Sequence, residues 1–296
     1  VTVAAPFGTW RSPISAEMVA AGDISLMQPH LHEGVAYWLE GRPAEGGRSV
    51  LVRADAFSEP TDVTPPGFNV RTTVHEYGGG AYLLHDGVVY FSNFADQRMY
   101  RQDAGGDPVP ITPETGGRDR YADGRVTPDG RSLVCVRERH PEPDDPFGVV
   151  NELVTLPPDG SSEPRTIRSG RDFYSTPRIA PDGSRLSWLE WDLPWMPWDG
   201  CELVVGELAG DGRLSGVRRV AGLMGEESIF QPTWSPDGDL HFASDRTGWW
   251  NLSVERDGDV LALHPADAEF GWPQWVFGMT AYGFLSDGRM ACLWER

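Results

Sequence analysis

Pro232-Thr-Trp-Ser-Pro-Asp-Gly-Asp-Leu-His-Phe-Ala-Ser-Asp-Arg246 is the stretch from which the fold can be read. Pro236 fixes φ, Asp237 caps its own turn and Gly238 is free to take φ > 0. Together the three make a tight turn between two strands. The strand that follows alternates, with Leu240, Phe242 and Ser244 on one side and His241 and Ala243 on the other. Clear copies run Pro177–Leu189 and Gly124–Val136, and degenerate ones run His85–Phe91, His32–Trp38 and Ser286–Cys292. The turn glycines are Gly34, Gly87, Gly130, Gly183, Gly238 and Gly288, at spacings of 53, 43, 53, 55 and 50 residues.

A period of roughly 40–55 residues with several strands per unit is the signature of a β-propeller. Third strands are expected at Trp250–Val254 and Glu202–Val205, and fourth strands near Gly216–Val220 and Ser162–Ile167. The fold class is therefore all-β, a β-propeller of four-stranded antiparallel blades. Trp188, Trp234, Phe242 and Tyr37 are expected to pack between blades. The 296 residues hold about five and a half blades, five whole ones and two strands of a sixth. An unfinished blade leaves an edge, so either the N-terminal segment completes it or the polypeptide continues beyond Arg296, and the second is expected. Residues 1–23 read as an N-terminal segment with a short helix in Ser12–Gly22, and residues 24–296 as the propeller.

Composition narrows the functional classes. Gly and Pro total 35 and 25, too much punctuation for a helical bundle, and the 40% hydrophobic content is too high for disorder. No apolar run is long enough to span a membrane as a helix. The net charge of −19 argues against a nucleic-acid partner and suits a ligand that carries an amine. Cys135, Cys201 and Cys292 lack metal-type spacing and read as thiols of a reducing compartment. No secretory signal opens the sequence, so a cytoplasmic location is expected.

Several longer stretches carry a family resemblance. They are W-L-E-G-R-P-A-E-G-G-R (38–48), V-H-E-Y-G-G-G-A-Y (74–82), Y-F-S-N-F-A-D-Q-R-M-Y (90–100) and M-P-W-D-G (196–200). E-S-I-F-Q-P-T-W-S-P-D-G (227–238), S-D-R-T-G-W-W-N-L (244–252) and P-Q-W-V-F-G (273–278) complete the set. The chain resembles the N-terminal propeller of bacterial prolyl oligopeptidase family serine peptidases, in the dipeptidyl aminopeptidase and acylaminoacyl-peptidase branch. The resemblance implies a seven-bladed propeller, of which this chain holds part, that caps a C-terminal α/β-hydrolase domain of the same polypeptide. The propeller would gate and select short peptides by their amino end. G-x-S-x-G does not occur in these residues, so the chain alone is expected to carry no catalytic residues and to be silent.

Propeller topology gathers loops on one face, and acids converging there favour an ammonium group. Glu76 is the first candidate for substrate binding, because Gly78-Gly-Gly80 lets the neighbouring backbone approach a ligand. The competing reading is an acid that caps neighbouring backbone amides in a tight loop. Glu227, before an innermost strand, carries the same two readings. Asp192 and Asp199 flank the aromatic loop Leu193–Trp198, which either walls a substrate side chain or caps a blade. Arg42, in a long loop with Glu40 and Glu45, faces the hydrolase domain or binds a carbonyl. Arg246 is expected to tie its turn to a carboxylate. His30, His32 and Glu33 lack an evident third ligand, so no metal or cofactor is expected. Two other classes compete: an interaction scaffold like the Tol-system propeller, and a lactonase-type propeller with a tunnel metal.

Overall fold

The computed structural model describes residues 4–9, 12–20, 22–142, 145, 147–285 and 287–296. Ser286, at the head of the last repeat copy, and Ala21, within the expected helix, lie outside the described residues. The chain divides into two compact units, Val1–Asn69 and Val70–Arg296.

In the first unit, α1 (Ala16–Ala20) is a single short turn of helix. It precedes one sheet of β1 (Ser25–His32), β2 (Val35–Arg42), β3 (Arg48–Ala54) and β4 (Thr61–Asp62), joined in chain order. Leu39, Val50, Leu51 and Val52 are its buried apolar residues.

The second unit repeats that meander. β5 (Tyr82–His85), β6 (Val88–Ser92), β7 (Met99–Gln102) and β8 (Val109–Pro110) form one sheet. β9 (Asp119–Val126), β10 (Leu133–Arg139), β11 (Val150–Leu156) and β12 (Arg165–Arg168) form the next. β13 (Phe173–Ile179), β14 (Arg185–Trp191), β15 (Glu202–Leu208) and β16 (Leu214–Ala221) follow. β17 (Ile229–Trp234), β18 (Leu240–Ser244), β19 (Asn251–Arg256) and β20 (Asp259–Ala262) make the last full sheet, ahead of the pair β21 (Tyr282–Phe284) and β22 (Met290–Cys292). Among the described residues, every strand pairing within these sheets is antiparallel, as expected of blades.

The turn between the first two strands of each repeat has the expected chemistry. Gly130, Gly183 and Gly238 have φ of 71°, 75° and 89°, a region open to Gly without strain. Each closes its turn by donating its N–H to the carbonyl three residues back, on Thr127, Ala180 and Ser235. The sheets then stack by residue parity. On β10, Leu133 and Cys135 pack with Leu83, Tyr90 and Met99 of the preceding sheet. Val134 and Val136 pack with Leu186, Trp188 and Val204 of the following one. Leu189 and Trp191 in turn meet Trp234, Leu240 and Phe242. Successive side chains of a strand point to opposite faces, so a strand buried on both reads as continuously apolar. Trp188, Trp234 and Phe242 thus lie between sheets, as the sequence suggested, whereas Tyr37 is only half-buried in its own unit.

The first strand of four of the repeats, β1, β9, β13 and β17, carries a bulge. Gln28, Asp123, Thr176 and Gln231 all have φ between 50° and 54°, beside shifts of register. A bulge turns the strand and re-aims a side chain. Two of these side chains tie neighbouring sheets. The fully buried Asp123 carboxylate accepts the Thr176 N–H (2.9 Å) and Arg178 Nη1 (3.0 Å). Gln231 donates to the Tyr282 carbonyl (2.6 Å) and accepts the Ala281 N–H.

Candidate functional site: an aromatic cavity with an acidic rim

Loops that lead into β5, β13 and β21, with those between β10 and β11 and between β14 and β15, converge on a cavity of about 430 Å³. Its volume falls in the range of small-molecule sites. The deep wall is aromatic. Phe173 and Trp191 stack at 5.4 Å between ring centroids, and the His75 ring meets both edge-on. Phe277 lies 4.8 Å from His75. At the mouth, Trp275 sits 4.3 Å from Trp198 and 5.9 Å from Tyr77.

The segment bearing Glu76 is held under strain. His75 and Glu76 are consecutive non-glycine residues in the left-handed region, at φ of 54° and 64°, where a Cβ is disfavoured. What holds them there is visible: the His75 N–H donates to Glu138 Oε2 (2.7 Å), and the Glu76 N–H to the Thr73 carbonyl (2.9 Å). The Gly78–Gly80 triplet is not open space for a ligand. Cβ atoms there would overlap Thr72, Phe277 and Asp123, so the chain itself makes the close approach. Gly78 accepts the Phe277 N–H (2.9 Å), and Gly79 and Phe277 form a parallel bridge. That bridge fixes the loop of Trp275 against the loop of Glu76.

The polar rim is anionic. Glu138, whose side chain is 4% exposed, accepts Arg120 Nη1 (3.1 Å) and lies 2.8 Å from His140 Nε2. Arg120 Nη1 also reaches Glu76 Oε1 at 3.3 Å, but Glu76 itself is 79% exposed. Asp172 accepts the Leu193 N–H (2.9 Å), and its carbonyl accepts Asn151 Nδ2 (2.8 Å). Burial drives the His75 imidazole down to about 3, opposed by Asn151, so it is neutral at ordinary pH. Three carboxylates and two imidazoles therefore face the cavity, and among the described residues no Arg lines it.

The other candidates from the sequence take different places. Glu227 is bound within the chain: Oε2 accepts the Gly222 N–H (3.1 Å), and Oε1 accepts Ser244 Oγ (2.5 Å) and Arg246 Nη2 (2.8 Å). It does not line the cavity. Asp192 accepts Arg171 Nη1 (2.7 Å) and the Asp172 N–H (2.8 Å), which props the rim residue Asp172. Asp199 caps the Met196 N–H (3.0 Å) and so shapes the loop that carries Trp198. Arg42 belongs to the first unit, where it pairs with Glu40 (2.7 Å), Glu45 (3.1 Å) and Asp62 (2.6 Å). Asp62 foremost, with Glu40 and Glu45, pushes its guanidinium still further above the usual range. Sequence reasoning missed Arg120, Glu138 and the partnership of Trp198 with Trp275. Only the aromatic loop Leu193–Trp198 hinted at a wall.

Among the described residues, no group of three or more His, Cys, Asp or Glu is placed to hold a metal ion. Cys135 and Cys201 are buried free thiols, which burial raises to about 12.

No family model matches the chain, and no curated protein matches it at significant similarity. Among solved structures, a puromycin-hydrolysing peptidase of Mycobacterium tuberculosis is 36% identical at a TM-score of 0.87, over 99% of this chain and 47% of its own. A puromycin hydrolase mutant complexed with PGG is also 36% identical, at a TM-score of 0.88, over 98% of this chain and 46% of its own. This chain thus spans about half the length of those peptidases. Prolyl oligopeptidase B from Galerina marginata, 12% identical at a TM-score of 0.58 over 94% of this chain and 42% of its own, shares the fold alone. The chain is a propeller-type domain homologous, along essentially its whole length, to part of a prolyl oligopeptidase family serine peptidase, puromycin hydrolase.

Proposed function

We propose that this chain is the substrate-selecting, non-catalytic propeller domain of a serine peptidase that acts on short peptides at the amino end. The observation that carries this reading is the 36% identity to puromycin-hydrolysing peptidases across 99% of the chain. The cavity supports it, because Glu76, Glu138 and Asp172 line it beside the neutral His75, an arrangement that suits a primary ammonium group. Glu76 is the acceptor of that group: it is exposed at the mouth and fixed by a strained loop. The remaining half of the relatives' length corresponds to an α/β-hydrolase domain that supplies the Ser-Asp-His triad in the cytoplasm. Asp192, through Asp172, and Asp199, through the loop of Trp198, position the rim and contact no substrate.

Calorimetry on this chain tests the amine claim with phenylalaninamide and its N-acetyl derivative. The free amine is expected to bind about tenfold more tightly, the worth of one charge-assisted hydrogen bond. Equal affinities would remove Glu76 and the rim from the reading. The gene tests the wider claim: a continuation that encodes G-x-S-x-G on a strand–helix turn is expected in frame.

A further inference from the structure

We propose that Arg125 and Arg178, which share the single buried carboxylate of Asp123, form a binding site for a tetrahedral oxyanion of the phosphate class. Neither arginine lines the aromatic cavity, so the proposal stands apart from the amine reading. Arg125 lies on β9 and Arg178 on β13, each the edge strand at which its sheet begins. The two edges are tied together there. The Asp123 N–H donates to the Gly80 carbonyl (2.8 Å), and its carboxylate accepts the Thr176 N–H. Asp123 Oδ1 lies 3.0 Å from Arg178 Nη1 and 3.4 Å from Arg125 Nη1. One oxygen thus holds two guanidinium groups beside each other.

The charges do not balance. Elsewhere in the chain one arginine is met by several acids: Arg42 by Glu40, Glu45 and Asp62, and Arg171 by Glu190, Asp192 and Glu202. The sequence has 44 acids for 25 basic residues, so no shortage of carboxylates explains two arginines on one. Among the described residues, neither guanidinium has a second carboxylate within ion-pair reach. Burial first, and then Arg178, push Arg125 below the usual range of its type, with Asp123 opposing. A bound anion would supply the missing charge.

The donors left over suit a tetrahedral ligand. Every hydrogen bond of the two guanidiniums to the described residues runs through Nη1. From Arg178 it reaches Asp123 and the Pro177 carbonyl (2.8 Å), and from Arg125 the Gly124 carbonyl (2.5 Å). Nε and Nη2 of both are left for a ligand, and the Arg125 side chain is 34% exposed, so solvent reaches it. Two forks offer donors to more oxygens than a carboxylate has, whereas phosphate can take a fork on each of two edges. The frame is fixed: the Arg178 carbonyl accepts Trp234 Nε1 (2.9 Å), and Arg125 pairs with Val134 in its sheet. The net charge of −19 does not bar entry, since at about 0.1 M salt its field is screened beyond roughly 10 Å.

Phosphorus NMR of inorganic phosphate, titrated against this chain in sodium chloride, tests the site. The phosphate line is expected to broaden saturably, with a half-point below about 10 mM. At matched ionic strength sulfate is expected to displace it, and acetate to do so about fivefold less well. Arg125→Gln is expected to weaken phosphate binding about tenfold, the worth of one charge-assisted contact. Its pair with Asp123 is the longer of the two, so that carboxylate keeps Arg178, and circular dichroism checks that the variant is folded. Should Arg125→Gln fail to fold, Arg125→Lys, which keeps the charge but loses the fork, carries the test with a several-fold loss. Undiminished binding by a folded variant would place the phosphate elsewhere and overturn the site. So would acetate as effective as sulfate, or a wild-type chain that gives no saturable broadening.

Discussion

Glu76 and Glu227 occupy comparable places, each in the loop that leads into the first strand of a repeat, and they have opposite fates. Glu227 is 18% exposed, and both of its oxygens are taken by Gly222, Ser244 and Arg246. Glu76 is 79% exposed and holds one long ion pair to an arginine that already serves Glu138. A carboxylate whose oxygens are filled by its own chain holds a loop together. A carboxylate left at a cavity mouth, on a backbone that the rest of the fold forces into place, is available to a ligand. Sequence position alone does not separate the two. The partners do.

The largest effect is expected from breaking the structural member of the pair. Glu227→Gln removes the charge opposite Arg246 and weakens the bonds from Ser244 and Gly222, at a cost of about 2–3 kcal/mol. Urea unfolding followed by tryptophan fluorescence should show the midpoint fall with the slope unchanged. Affinity for phenylalaninamide should be unaltered, corrected for the folded fraction. A stable Glu227→Gln variant that has lost binding would reverse the assignment of the two acids.

The mirror experiment is Glu76→Gln. Stability should move by less than about 0.5 kcal/mol, as for other exposed ion pairs. Phenylalaninamide should bind about tenfold more weakly, while the acetylated probe is indifferent to the change. If Glu76→Gln unfolds the protein as Glu227→Gln does, the comparison collapses.

The same two regions should respond oppositely to pH. His75 ionises near 6.5 when unfolded and near 3 in the cavity wall, because burial disfavours its charge. Between those values the unfolded chain holds more protons, so stability rises with pH up to about 6.5 and then levels. Asp245, beside Glu227, is shifted the other way: burial first, and then Glu227, raise its carboxyl. Just above its ordinary value the folded chain holds more protons there, so this contribution falls as pH rises. His75→Phe should therefore flatten the climb between pH 5 and 7 by about 2 kcal/mol, and Asp245→Asn should steepen the net climb near pH 4–5. Unfolding curves at four pH values distinguish them. An unchanged slope in His75→Phe would mean that the imidazole is not held neutral.

The fold was legible because its information is local. Pro-Asp-Gly followed by alternating apolar residues specifies a turn and a strand within about ten positions, and the six turn glycines repeat it. Strand limits shifted only modestly: the fourth strand expected at Ser162–Ile167 lies at Arg165–Arg168, and Gly216–Val220 falls inside Leu214–Ala221. The site was legible only in part, because it is assembled over some two hundred positions from His75 to Phe277. Asp192 and Asp199 stood out as acids beside an aromatic loop, yet Arg171 and the Met196 amide take them up. Gly78–Gly80 signalled a close approach, but the sequence does not say whether a ligand or the chain makes it. The second indole, Trp275, lies 77 positions beyond Trp198, with no periodicity to connect them.

The smallest expected quantity is the most exacting test of the comparison. Arg120 Nη1 reaches Glu76 at 3.3 Å and Glu138 at 3.1 Å. Replacing Arg120 leaves the buried Glu138 with His140 and the His75 amide alone, so Arg120→Met should be clearly destabilising by itself. What matters is the coupling, taken from Arg120→Met, Glu76→Gln and the double variant. An exposed pair gives a coupling of about 0.2–1 kcal/mol, and Glu76 should lie at the lower end because Arg120 is shared. The equivalent cycle for Glu227 and Arg246 should exceed it. A Glu76 coupling above about 1.5 kcal/mol would mean that its own chain occupies this acid as fully as it does Glu227, with no charge left over for an ammonium group. A coupling near zero would leave the carboxylate free at the mouth, and its fixed position would then come from the strained backbone and not from the arginine.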